Sequence, residues 1–131
     1  MDRFVADALS LVGYSFTTVF SVWNGQDGIK DPEIISWCQA NDTIWVHADD
    51  SAKRDHAKLI LASQIRTVWV YRRDGKMSGA DQLRALAFAL QEIMARFRQH
   101  QTRRHYKVTV HGQLPHTAIR IDEYEIKPPP K

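Results

Sequence analysis

Two hydrophobic runs of nearly the same composition constrain the fold most. Residues 43–46 read Thr-Ile-Trp-Val, and residues 67–70 read Thr-Val-Trp-Val. Short runs of β-branched and aromatic residues are typical of strands that are buried on both faces. The segment between them, from residue 50 or 51 to 63, has the apolar spacing of a helix. Two buried strands joined by a helix predict a right-handed βαβ crossover, and therefore parallel strands.

The residues before these runs continue the alternation of helix and strand. Apolar residues at positions 5, 8, 9 and 12 predict a first helix that ends at Gly13, and residues 15–20 predict a strand. A loop at 24–28 leads to a helix that begins with Asp31 as the N-cap, followed by Pro32 and Glu33. The apolar residues expected to form its buried stripe are Ile34, Trp37 and Cys38.

The C-terminal part predicts a long helix and a hairpin. Ser78 and Asp81 have the spacing of a capping box, and the apolar pattern continues to about residue 99. Residues 106–110 and 117–121 predict two antiparallel strands. The expected fold is therefore an α/β domain over residues 1–126, with helices on both faces of a mainly parallel sheet, followed by a Pro-rich tail over 127–131.

Composition indicates a folded protein of a reducing compartment. Hydrophobic residues make up 44% and charged residues 25% of 131 residues, which lies in the range of globular domains. Cys38 is the only cysteine, so a disulfide framework within one chain is excluded. The first residues carry acids where a signal peptide would have cations, and no run is long enough to span a bilayer. We therefore expect a cytoplasmic protein without a membrane partner.

The candidate chemistry is acidic. Carboxylates converging at the carboxyl edge of a parallel sheet would form an all-oxygen site, which suits Mg²⁺ or Mn²⁺. Each acid also has an ordinary alternative as a helix cap or first-turn acid, and Asp49 is the least easily explained in that way. His47 and His56 flank the same region and could bind a metal or act in acid–base chemistry. Partial burial is the simpler account of His56, and His47 is expected only to cover the strand end. The acids concerned are Asp2, Asp7, Asp31, Glu33, Asp49, Asp50 and Asp55.

Basic residues form two candidate surfaces for nucleic acid. Arg103 and Arg104 belong to a basic stretch from 96 to 107, which predicts either a phosphate-binding surface or a solvated helix end. Lys53 and Arg54 lie beside the acidic residues and are candidates to hold an RNA phosphate. No Walker or dinucleotide-binding loop and no GxSxG motif occurs, so nucleotide-binding and serine-hydrolase functions are not indicated.

The order of three segments resembles the PIN-like domains related to VapC-type toxins of bacterial toxin–antitoxin systems. The segments are VADALSLVGYSFTTV, GIKDPEIISWCQANDTIWVHADDSAK and RTVWVYRR. Asp31 and Glu33 match the acidic helix start of that family, and Asp49 matches the aspartate of its T-x-D element, with His47 in place of the threonine. The similarity covers about residues 5 to 100. It implies a three-layer α/β/α domain.

The resemblance also implies an activity. It predicts a metal-dependent endoribonuclease, the toxin of a toxin–antitoxin pair, with RNA as substrate and an antitoxin protein or a second copy as partner. Asp31, Glu33 and Asp49 would be catalytic, and Mg²⁺ or Mn²⁺ would be held by Asp2, Asp31, Asp49 and Asp50. The family's first strand has no counterpart in this sequence. Either Asp2 is the remnant of its D-R element, or this chain starts after that strand. The alternative is a non-catalytic or degenerate PIN-like module that binds RNA or a partner protein.

Overall fold

The computed structural model describes residues 5, 8, 9, 17–112 and 117–128. Val5, Ala8 and Leu9 are helical, as predicted, whereas positions 12 and 13 lie outside the described residues. The remaining elements, in chain order, are α1 (Val19–Val22), α2 (Asp31–Ala40), β1 (Trp45–His47), α3 (Ala52–Asp55), α4 (Ala57–Ser63), β2 (Thr67–Arg72), α5 (Gly79–Gln99), β3 (His105–His111) and β4 (Ala118–Glu123).

The strands form one mostly parallel sheet in the order β1-β2-β3-β4. β1 pairs with β2 and β2 with β3 in parallel, and β3 pairs with β4 in the antiparallel direction. Trp69 of β2 is in register with His47 on one side and Lys107 on the other. The α/β class, the parallel strands and the C-terminal hairpin are thus confirmed.

The first face of the sheet packs against α5. The Ser78 hydroxyl accepts a hydrogen bond from the Asp81 backbone N–H, and the Asp81 carboxylate accepts one from Ser78, so the predicted capping box is confirmed. Burying each large aliphatic side chain stabilises the fold by roughly 1.5–3 kcal/mol. The core of this face comprises Val5, Leu9, Val68, Val70, Ala85, Leu86, Ala89, Leu90, Ile93, Phe97, Tyr106, Val108 and Val110.

The second face packs against α2 and α4 on the side of β1. Side chains alternate along a strand, so Trp45 points away from the α5 side, and it packs against Ile35, Cys38 and Ile60. Burial raises the pKa of the Cys38 thiol to about 11. Helices therefore lie on both faces of the sheet.

Several local predictions were wrong. Part of residues 15–20 is helical, because the Thr18 hydroxyl caps α1 by accepting a hydrogen bond from the Ser21 backbone N–H. The helix predicted from residue 50 or 51 to 63 is two helices, since the backbone departs from helical geometry at His56. Lys30, not Asp31, is the N-cap of α2.

The buried stripe of α2 also differs from the prediction. Ile35 is fully buried, whereas Ile34 and Trp37 are only partly buried. Cys38 is buried as expected. The buried face of α2 is therefore formed by Ile35 and Cys38, and Ile34 and Trp37 lie at its margin.

Candidate metal centre at Asp31 and Asp49

Asp31 and Asp49 meet at the carboxyl edge of the sheet. Asp31 is the first residue of α2, and Asp49 lies in the loop that follows β1. Their carboxyl groups are close enough to share a hydrogen bond. Two acids from separate segments thus form one carboxyl–carboxylate pair, as the positions of a helix start and a strand end predicted.

The pKa values of the two acids shift in opposite directions. Burial raises the pKa of Asp31 above its usual value of 3.8, and the Asp49 carboxylate raises it further, against the opposing effect of His56. Burial also acts to raise the pKa of Asp49, but hydrogen bonds from Ser51 and Asp31 outweigh it and lower that pKa. Asp31 is therefore the more readily protonated of the two acids.

Two neighbours orient the acids. Oδ1 of Asp49 accepts hydrogen bonds from the backbone N–H and the hydroxyl of Ser51, both at 3.0 Å. Nε2 of His56 lies 3.2 Å from Oδ2 of Asp31. His56 was expected to be only a partly buried histidine; the structure places it in direct contact with a candidate ligand.

His47 lies beneath the pair and is 6% exposed. Its Nδ1 atom accepts a hydrogen bond from the Asp49 backbone N–H at 3.2 Å, so the neutral ring carries its proton on Nε2. That Nε2 atom is buried and has no hydrogen-bond partner within the described residues. Burial lowers the pKa of His47 to about 4, so the ring is neutral at physiological pH.

A cleft of about 720 Å³ adjoins the pair. Asp31, His47 and Asp49 line it together, and they provide its acidic end. The rest of its wall is mainly apolar and comes from α1, α2, β1 and α5, with Val22, Ile34, Val46, Leu90 and Met94 among the lining residues. Substrate or solvent entering this cleft would therefore meet both carboxyl groups.

The donor set suits a hard cation. In the described part of the chain no three His, Cys, Asp or Glu side chains come together as a metal-binding group. Mg²⁺ is commonly held by one or two carboxylates, with water and substrate phosphate oxygens completing its octahedron. Asp31 and Asp49 therefore fit a Mg²⁺ or Mn²⁺ ion that is completed by its substrate.

The other predicted acids lie in different surroundings. Glu33 is exposed and borders a shallow surface with Trp23 and Trp37. Asp50 turns toward the second face of the sheet, where its Oδ1 accepts a hydrogen bond from Trp69 Nε1 at 3.0 Å. Asp2 lies outside the described residues.

The predicted basic residues divide between two edges of the sheet. Lys53 lies near Asp50, with its ammonium 5.0 Å from the centre of the Trp69 ring. Arg54 is exposed and pairs with Asp55. Arg103 and Arg104 precede β3 at the opposite edge, where Arg103 pairs with Glu123 and Arg104 bonds to the Gln64 carbonyl. Of these four residues, Lys53 is the one that contacts the ring to which Asp50 is hydrogen-bonded.

Comparison with known proteins finds no matching family model, no similar curated protein and no similar solved structure. Within the described residues, no helix has the length and apolar character needed to cross a membrane.

Proposed function

We propose that this protein is a Mg²⁺- or Mn²⁺-dependent endoribonuclease of the PIN-like type, with its metal centre at Asp31 and Asp49. The observation that carries the proposal is the contact between these two carboxyl groups at the carboxyl edge of a parallel sheet. Open α/β sheets bind ligands at this edge. The resemblance of residues 5 to 100 to PIN-like domains supplies the reaction class.

The repulsion between the two carboxylates favours a cation site. The charge of Asp49 raises the pKa of Asp31, so ionising both groups costs free energy. A divalent cation held by both groups would offset that repulsion. When bound, Mg²⁺ or Mn²⁺ supplies charge neutralisation to the phosphodiester and lowers the pKa of a water molecule.

The surrounding residues would hold the acids in place for this chemistry. Ser51 fixes Asp49 through two hydrogen bonds to the same oxygen, which leaves the other oxygen for a cation. His56 orients Asp31. Asp50, which accepts a hydrogen bond from Trp69, and the exposed Glu33 lie outside this group of residues.

The biological setting that we propose is the toxin half of a toxin–antitoxin pair, with an antitoxin protein as partner. It rests on the family resemblance alone. RNA phosphodiesters would be the substrate, and the basic balance of the chain, with 18 Lys and Arg against 15 Asp and Glu, is compatible with a polyanion.

The test is cleavage of single-stranded RNA by the purified protein with Mn²⁺, compared with the same reaction in EDTA. Asp31→Asn and Asp49→Asn each remove one ligand charge, and we expect each to lower the rate at least about 100-fold, or about 2.7 kcal/mol of barrier. Asp42→Asn is the matched control, because its side chain is 98% exposed and lies at the other end of α2.

Two results would overturn the proposal. Cleavage that continues in EDTA, or in the double variant Asp31→Asn with Asp49→Asn, would place the activity elsewhere. Complete absence of cleavage, together with no Mn²⁺ binding detected by electron paramagnetic resonance, would favour the second candidate, a non-catalytic PIN-like module.

A further inference from the structure

Two lysines gather on one aromatic surface of the second sheet face. The Lys107 ammonium lies 4.3 Å from the centre of the Trp69 ring and 4.2 Å from that of Tyr71. The Lys53 ammonium lies 5.0 Å from the centre of the same Trp69 ring. We call Lys53, Trp69, Tyr71 and Lys107 the lysine–aromatic patch.

Within residues 17–112 and 117–128, the structure gives neither ammonium group a carboxylate partner. Neither forms an ion pair with a carboxylate of the described residues, although two carboxylates act on Lys107 electrostatically. Those two are already engaged, since Asp50 accepts a hydrogen bond from Trp69 and Asp122 pairs with Arg120 at 2.7 Å. Burial lowers the pKa of Lys107, and the charge of Lys53 lowers it further. An anion bridging Lys53 and Lys107 would relieve this repulsion.

Asp50 connects the patch to the loop that carries Asp49. Lys53 belongs to α3, which begins three residues after Asp49, and Asp50 forms the direct link between the loop after β1 and Trp69. Tyr71 is the next residue of β2 on the same face and is partly exposed. In the order of the strands, Tyr71 of β2 lies between β1 and Lys107 of β3, so a strand of nucleic acid that crosses this face from the side of β1 would meet Tyr71 before Lys107.

We infer that the lysine–aromatic patch binds a phosphate of single-stranded RNA, with Lys53 and Lys107 contacting the same phosphate and Tyr71 bordering the adjacent base. Cations combined with a partly exposed aromatic ring are the features of surfaces that bind single strands without sequence preference. The identity of the anion as RNA rests on the proposed function. The contact itself requires neither metal nor cleavage.

The experiment measures binding of a fluorescein-labelled single-stranded RNA by anisotropy in EDTA, over a range of salt concentrations. We expect Lys53→Gln with Lys107→Gln to weaken binding about tenfold or more. We also expect the slope of log affinity against log salt to become less steep by about 0.7, the value for one phosphate contact with a single strand.

The control variant, Lys58→Gln with Lys127→Gln, removes the same charge from two exposed residues, one on α4 and one after β4. It should bind like the wild type. Circular dichroism and thermal melting of both variants check that the fold is retained, and single Lys53→Gln and Lys107→Gln variants replace the double variant if it unfolds.

The outcomes separate this inference from the proposed function. If the wild type cleaves RNA and the patch and control variants bind RNA equally, the inference about the lysine–aromatic patch is overturned and the proposed nuclease function stands. Absence of cleavage, with binding lost only in the patch variants, would overturn the nuclease and support the patch. Equal binding of a duplex of the same sequence, with the same dependence on Lys53 and Lys107, would contradict the assignment to single strands.

Discussion

Nε2 of His56 lies 3.2 Å from Oδ2 of Asp31, so the residue that separates α3 from α4 also contacts the acid that opens α2. The interruption of the helical segment therefore places an imidazole beside the candidate metal centre.

Replacing His56 should change the pH at which the centre accepts a cation. His56 lowers the pKa of Asp31, so His56→Asn should raise that pKa and make the proton harder to displace. The midpoint of Mn²⁺ binding against pH, measured by electron paramagnetic resonance, should then shift upward. His100→Asn, at an exposed position after α5, is the control, and an identical midpoint in all three proteins would contradict the role of His56.

Removing the carboxylate of Asp31 should stabilise the metal-free protein at neutral pH. Because the pKa of Asp31 is raised, the native state keeps a proton there that the unfolded chain has released, so stability falls as pH rises from 3.8 through the raised pKa. Asp31→Asn avoids this loss. We expect a gain below about 1 kcal/mol, the scale of interactions between partly exposed charges.

Urea unfolding checks this expectation at neutral pH and again below pH 3.8, where the advantage of Asp31→Asn should disappear. Asp42→Asn serves again as the control. If Asp31→Asn is less stable than the wild type at neutral pH, the ionised carboxylate of Asp31 does not destabilise the native state.

Two tyrosines should respond in opposite ways to the loss of a hydroxyl. Tyr106 is fully buried, and its hydroxyl has no hydrogen-bond partner in the part of the chain described, so Tyr106→Phe should be neutral or stabilising by about 1–3 kcal/mol. The Tyr124 hydroxyl bonds to Thr67 Oγ1, so Tyr124→Phe should destabilise the fold by about 1 kcal/mol. Chemical denaturation of both variants measures the difference, and a clear loss in Tyr106→Phe would reveal a partner for its hydroxyl.

Acid should destabilise the protein through two buried histidines. Burial lowers the pKa of His47 and of His105 from 6.5 to about 4, and the charge of Arg104 contributes at His105. As pH falls below 6.5, the unfolded chain binds protons at these histidines before the native state does. The stability that comes from their burial in the neutral form is therefore complete above pH 6.5 and is lost as pH falls toward 4. Each group contributes on the order of a few kcal/mol.

Unfolding free energies measured across that interval test the histidines directly. His105→Asn should show a shallower dependence on pH than the wild type, and His100→Asn should keep the wild-type slope. Equal slopes in the wild type and His105→Asn would remove His105 from this account.

The sequence predicted the helices and strands that are specified by neighbouring residues or by a regular apolar pattern. The capping box at Ser78 and Asp81 needs only residues three positions apart, and the buried strands β1 and β2 are visible as uninterrupted apolar runs. The strand predicted at residues 15–20 failed because β-propensity depends on packing partners, whereas the Thr18 cap acts within a single turn.

The contact between Asp31 and Asp49 could be expected because a strand end and a helix start were both placed at one sheet edge. The roles of His47 and His56 could not, since each depends on a side chain distant in sequence or on burial. Lys107 was named only as part of a basic stretch. Its position over Trp69 and Tyr71 follows from the register of β2 against β3. The residue pattern of one strand does not predict its register with another strand.

The buried Cys38 thiol can be used to measure how often this part of the core opens. Its thiol is buried where α2 and α4 meet β1, and its raised pKa keeps it protonated and unreactive while that core is closed. Cys38 is 4% exposed, so we expect alkylation to be slow while the core is closed and to be accelerated by excursions that separate these elements. As the chain has one cysteine, the rate of mass gain under native conditions reports the frequency of those excursions next to the Asp31–Asp49 centre without any label or mutation.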